Sequence, residues 1–118
     1  MAVVSHYVGG TAFAGSSKRT APVYDPALGT ISKEVALASA ADLDKAVAVA
    51  TAAFPAWRDL SVAKRQFVMF RFRELLEAKK SELAAIITAE HGKVLSDAMG
   101  EIQRGQEVVE FACGLGHL

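Results

Sequence analysis

From Ser39 onward, apolar residues return every three or four positions, and that period limits what the chain can build. Side chains spaced this way line one face of a helix, so most of the chain must fold as helices that bury those faces. Ser39-Ala40-Ala41-Asp42 has the form of a capping box, with Asp42 also favourable at the positive end of a helix. Leu43, Val47, Ala50 and Phe54 then share a face, and Pro55 is predicted to stop this first helix. Ser61 is the predicted N-cap of a second helix, reaching about Ala78 and carrying Val68, Phe72, Leu75 and Leu76. That helix is apolar at Phe67, Met69 and Phe70 as well, a stripe too wide for a single neighbour.

A third helix is predicted with Ser81 as its cap, Leu83, Ile86 and Ile87 inward, and Gly92 as a left-handed stop. The fourth is predicted from about Leu95 to Cys113, with Leu95, Ala98, Met99, Ile102, Val109 and Ala112 along one side. Gly100 and Gly105 lie inside it, and each weakens a helix by about 1 kcal/mol relative to Ala. Keeping both predicts a neighbouring element that passes close by.

The first 38 residues read differently. His6-Tyr7-Val8 and Thr11-Ala12-Phe13 flank Gly9-Gly10, a two-residue hairpin turn whose glycines supply positive φ. Gly15 to Lys18 is a loop, Ala21 to Tyr24 a short extended run closed by Asp25-Pro26, and Ile31 to Leu37 another strand. Strands this short do not make an independent sheet with its own core. The expected fold is mostly α with an N-terminal β-hairpin arm, divided into an extended arm over 1–38 and a four-helix segment over 39–118. Short connections between the helices and the absence of a linker predict one packed unit.

At 118 residues the chain holds one small domain. Lys plus Arg is 13 and Asp plus Glu is 13, a neutral balance without the basic footprint that nucleic acid or an anionic membrane would need. Cys113 is the single cysteine, so no internal disulfide forms. The N-terminus lacks a signal-peptide pattern, and the apolar run from Ala46 to Phe54 falls well short of the about 20 residues a bilayer requires. The expectation is a cytoplasmic protein.

Gly10-Thr11-Ala12-Phe13-Ala14-Gly15-Ser16-Ser17 carries the glycine spacing of a phosphate loop but lacks its lysine, so a hairpin and loop explain it better. There is no Gly-x-Gly-x-x-Gly fingerprint. His6, His91 and His117 fall on three separate elements, so no metal site is expected; Glu90-His91-Gly92-Lys93 reads as a helix end. Cys113 lies on the apolar side of the last helix with no base beside it, and reads as a small buried hydrophobe. Arg104 has two readings. One is an exposed i,i+3 partner of Glu101, which the physics of surface pairs favours; the other is a guanidinium fork that clamps a carboxylate.

Three motifs stand in a familiar order: Tyr24-Asp25-Pro26-Ala27-Leu28-Gly29, Ala53-Phe54-Pro55-Ala56-Trp57 and Glu90-His91-Gly92-Lys93. They resemble the opening of the NAD(P)-dependent aldehyde dehydrogenase superfamily over nearly the whole chain. Met69-Phe70-Arg71-Phe72, and the run from Ile87 through Gly100-Glu101-Ile102-Gln103-Arg104-Gly105 to Gly114, resemble the CoA-acylating methylmalonate-semialdehyde dehydrogenases. The resemblance implies an N-terminal piece of a cofactor-binding domain, whose catalytic cysteine, general base and most NAD-binding residues lie outside this chain. Catalytic, cofactor-binding and metal residues are therefore none here. In the parent, a thiolate attacks the aldehyde, hydride passes to NAD and CoA takes up the acyl group. The chain alone is expected to bind no cofactor and to be inactive. The resemblance also makes Arg104 the substrate-binding candidate, facing the carboxylate of a semialdehyde. A non-acylating enzyme, such as a succinate-semialdehyde dehydrogenase, and a stand-alone helical interaction module are the rival readings. The wide apolar surface of the second helix predicts a homo-oligomer.

Overall fold

The computed structural model describes residues 2–117. Its strands are β1 (Val3–Val4), β2 (His6–Val8), β3 (Thr11–Phe13), β4 (Thr20–Tyr24) and β5 (Ile31–Ala36). Its helices are α1 (Ala40–Arg58), α2 (Val62–Ala78), α3 (Lys80–His91) and α4 (Leu95–Gly114), followed by a 3-10 turn, Leu115–His117. The mostly helical class with a hairpin arm is the fold observed. Contacts divide it into two compact units, Met1–Arg58 and Asp59–Leu118. Where the sequence groups four helices in one packed unit over 39–118, contacts place α1 with the strands.

In the first unit, β2 and β3 pair antiparallel, His6 opposite Phe13 and Val8 opposite Thr11. Gly9 and Gly10 hold φ of 62° and 81°, a turn closed to other residues at low strain. The second sheet has the order β1-β5-β4, with β1 parallel to β5 and β4 antiparallel to it. The β4–β5 connection is an Asp turn. Asp25 Oδ1 accepts from the Ala27 and Leu28 amides at 2.8 and 3.2 Å, and Gly29 completes the turn at φ 68°. The sequence reading omits β1. A parallel pair is not joined by a local turn, so two residues carry no signal for it.

The capping box at α1 forms as its residues dictate. The Asp42 amide donates to Ser39 Oγ at 3.2 Å, and Asp42 Oδ2 accepts from the Ser39 amide at 2.8 Å. The other carboxylate oxygen accepts from the Ser16 amide at 2.8 Å, tying the loop after β3 to the start of α1. Two expectations for α1 fail. Pro55 does not stop the helix, which runs on to Arg58. Proline removes its own N–H and crowds the carbonyl four residues earlier, but it leaves the amides of Ala56, Trp57 and Arg58 free to bond backward. Near a helix end that loss is a single bond. The stripe of Leu43, Val47, Ala50 and Phe54 is not inward either; Leu43 is 61% exposed.

In the second unit, Ser61 caps α2 by accepting from the Lys64 amide. Ser81 does not cap α3. Lys79 ends α2 and begins α3 at φ −104°, ψ 7°, so Ser81 already lies in the first turn. Gly92 stops α3 at φ 80°, its amide donating to the Thr88 carbonyl at 2.9 Å. The core is small: Ala84 and Ala98 are fully buried beside Ile102, with Leu83, Ile87 and Met99 packed on them. Alanines here bring α3 and α4 close together. Leu95 and Ile86, expected inward, are exposed, whereas polar Gln106 is 1% exposed. It donates to Glu77 Oε2 at 2.8 Å, which is why a polar residue can occupy an inward position that apolar periodicity overlooks. Cys113 is buried as expected, and its carbonyl accepts from Gln66 at 3.0 Å. A Cβ at Gly116 would come within 2.5 Å of the Gln66 side chain and 2.6 Å of Val62 Cγ1, so a larger residue there would force these side chains of α2 to shift. Gly100 and Gly105 have no such excuse. Among the described residues nothing lies within 4 Å of a Cβ at either, so the close neighbour expected from them is not found among those residues.

Candidate functional site: a polar cleft on helix α4

The left-handed turn at Gly92 sends the chain back over the start of α4, and this brings Lys93 against Glu101, eight residues further on. Asp97, Gly100, Glu101 and Arg104 follow at helical spacing on one face. With Lys93 and Ser96 they line a cleft of about 330 Å³. Gly100 contributes no side chain, which keeps the cleft open.

The charges sort themselves. The Lys93 ammonium hydrogen-bonds the Glu101 carboxylate. That bond, followed by the charges of Lys93, His91 and Arg104, holds the Glu101 carboxyl below its ordinary range. The i,i+3 pair of Glu101 with Arg104 is therefore replaced by one with Lys93. Among the described residues Arg104 makes no hydrogen bond or ion pair, although its charge still acts on Glu101. Its fork of N–H donors is exposed to solvent. The arrangement can receive a carboxylate through two parallel hydrogen bonds. Sequence spacing points to Arg104 and Glu101 but overlooks Lys93, whose approach depends on the Gly92 turn.

The other candidates stay apart. His6 lies on β2, His91 at the end of α3 and His117 in the 3-10 turn, and among the described residues no three metal-ligating groups converge. Gly10 and Gly15 belong to the hairpin turn and the following loop, and at the start of α1 the Asp42 amide donates to Ser39 Oγ. No described helix is long and apolar enough to cross a membrane.

The family model for aldehyde dehydrogenases matches residues 13–118. The chain belongs to the aldehyde dehydrogenase family. It is 43% identical over 113 residues to a malonate-semialdehyde dehydrogenase of Pseudomonas aeruginosa, an alignment that covers 96% of this chain and 22% of that protein. Among solved structures, a methylmalonate-semialdehyde dehydrogenase from Oceanimonas doudoroffii is 44% identical, with a TM-score of 0.95 over 99% of this chain and 24% of that one. A protein described as a methylmalonate-semialdehyde dehydrogenase from Sinorhizobium meliloti, solved with NAD, is 42% identical, with a TM-score of 0.96 over the same shares. The chain thus spans under a quarter of the length of these aldehyde dehydrogenases. The Sinorhizobium structure, of a chain about four times as long, is the one solved with NAD.

Proposed function

We propose that these 118 residues are the opening segment of an NAD-dependent, CoA-acylating malonate- or methylmalonate-semialdehyde dehydrogenase. The observation that carries the substrate reading is Arg104, a cation with open donors in a cleft beside Gly100 and Glu101. A semialdehyde of this class ends in a carboxylate, and a guanidinium fork is the side chain best shaped to hold it. In this role Arg104 orients the substrate, while the reacting groups and the nicotinamide cofactor are held by the part of the fold outside the chain. Residues 1–38 serve as an arm, grouped with α1 in one unit, and the helices of 59–118 form the other unit that this segment brings to the cofactor-binding domain. The parent is a cytoplasmic homo-oligomer whose small-molecule partners are the semialdehyde and CoA.

The test uses a full-length dehydrogenase carrying this segment, supplied with malonate, methylmalonate and succinate semialdehydes, with and without CoA. The expected products are acetyl-CoA and propionyl-CoA from the first two, formed only when CoA is present. Release of free acid regardless of CoA, with succinate semialdehyde preferred, would assign the segment to a non-acylating enzyme.

A further inference from the structure

Two cations and two anions line the polar cleft on α4: Lys93, Arg104, Asp97 and Glu101. Their charges cancel, so an anion that enters is held by whichever cation has donors to spare. By spacing, Arg104 should have none. Glu101 stands three residues before it, and a glutamate N-terminal to its cation is the favourable order on a helix. Elsewhere in this chain the three-residue spacing does form pairs, Arg71 with Glu74 at 2.8 Å and Lys79 with Glu82 at 2.7 Å. Arg104 differs because its acid is taken from outside the helix, by Lys93. The Lys93 side chain is 24% exposed, against 69% for Arg71, so its bond to Glu101 is better shielded from water and salt. Glu107, three residues after Arg104, accepts from Gln103 at 3.3 Å, and Gly100 and Val108, four residues away on either side, carry no charge.

We infer that Lys93 is a positioning residue: by holding the Glu101 carboxylate it keeps the Arg104 guanidinium open for the carboxylate of an incoming semialdehyde. The inference rests on the reading of Arg104 as the anchor of the substrate. Besides Lys93, the charges of His91 and Arg104 reach Glu101, and of these two only Arg104 stands on the same helix, one turn away. Without Lys93, Arg104 pairs with Glu101, and the substrate then competes with a carboxylate tethered beside its binding group.

The experiment uses the full-length dehydrogenase carrying this segment, with kcat and KM measured for methylmalonate semialdehyde and for propanal. Lys93→Met should raise KM for the acidic substrate about two- to fivefold, as competition from an exposed ion pair implies. Its kcat, and both constants for propanal, should stay as they were. In a Glu101→Gln background no carboxylate remains to capture Arg104, so there Lys93→Met should no longer move KM. An equal rise in both backgrounds would make Lys93 a diffuse positive charge and overturns the inference. An unchanged KM in Lys93→Met overturns it too, as does a matching loss on propanal, which would make Lys93 structural. Arg104→Ala run alongside separates the two claims. Equal losses on both substrates sink the substrate reading and this inference with it, whereas a loss confined to the acid, beside an indifferent Lys93→Met, sinks the inference alone.

Discussion

Asp42 holds three donors at once: the amides of Ser16 and Ser39 and the Ser39 hydroxyl, each at 2.8 Å. The Ser39 amide is the largest influence, and together these bonds keep the carboxyl far below its usual range. A carboxyl whose folded pKa is depressed releases its proton more readily in the native state. Its contribution to stability is therefore full above the ordinary Asp value of about 3.9 and is lost as pH falls below it. Between pH 7 and pH 3 the melting temperature of the native chain should drop further than that of Asp42→Asn, as followed by circular dichroism. Parallel drops would show that the carboxylate does not anchor the loop to α1. The Ser39-to-Asp42 spacing makes half of this site legible in the sequence. Its tie to Ser16, 26 residues earlier, is a tertiary fact that no local pattern encodes. Arg104 is similar: its motif is plain, but the turn that gives Glu101 to Lys93 is visible only in three dimensions.

At the scale of the elements, the four helices and the hairpin could be read because each rests on local chemistry: a capping serine, a glycine able to take positive φ, a 3.6-residue period. The failures share a cause. Pro55 and Ser81 carry signals for helix ends, yet the helix boundaries there are set by which amides still find carbonyls. Which faces are covered was the least legible property, since apolar spacing marks a face that seeks a partner without saying whether this chain contains one. Gly100 and Gly105 make that distinction measurable. With open space around both, Gly100→Ala and Gly105→Ala should each stabilise the isolated chain by about 1 kcal/mol in urea denaturation, the difference between the two residues in a helix interior. Destabilisation by either would reveal a contact that the fold does not contain.

At the scale of the molecule, the apolar surface decides behaviour. Phe67 is 72% exposed on α2, with Val68, Phe70 and Leu75 near half, and Val108 and Phe111 stand open on α4. Several hundred Å² of contiguous apolar surface is about the upper limit for a soluble monomer. At about 25 cal/mol per Å², part of it suffices to drive pairing once chains are concentrated, although lost freedom of motion offsets much of the gain. Sedimentation velocity across a concentration series should show the isolated chain associating at tens of micromolar, and Phe67→Glu with Phe70→Glu should reverse it; a compact monomer throughout would contradict this. The associated chain is still expected to form no NADH from any semialdehyde, because the resemblance implies that the nucleophile and most NAD-binding residues lie outside this segment; NADH above a buffer blank would contradict this.

The central claim, that this segment brings an arginine to the carboxylate of a semialdehyde, is tested most directly in the full-length dehydrogenase. The quantity to measure is kcat/KM for methylmalonate semialdehyde and for propanal, in the native enzyme and in Arg104→Ala. Loss of a charge-assisted pair costs about 1.5–3 kcal/mol, so the ratio favouring the acidic substrate should fall by about 10- to 150-fold, with propanal little changed. Equal losses for both substrates would make Arg104 a surface residue of α4 and no more.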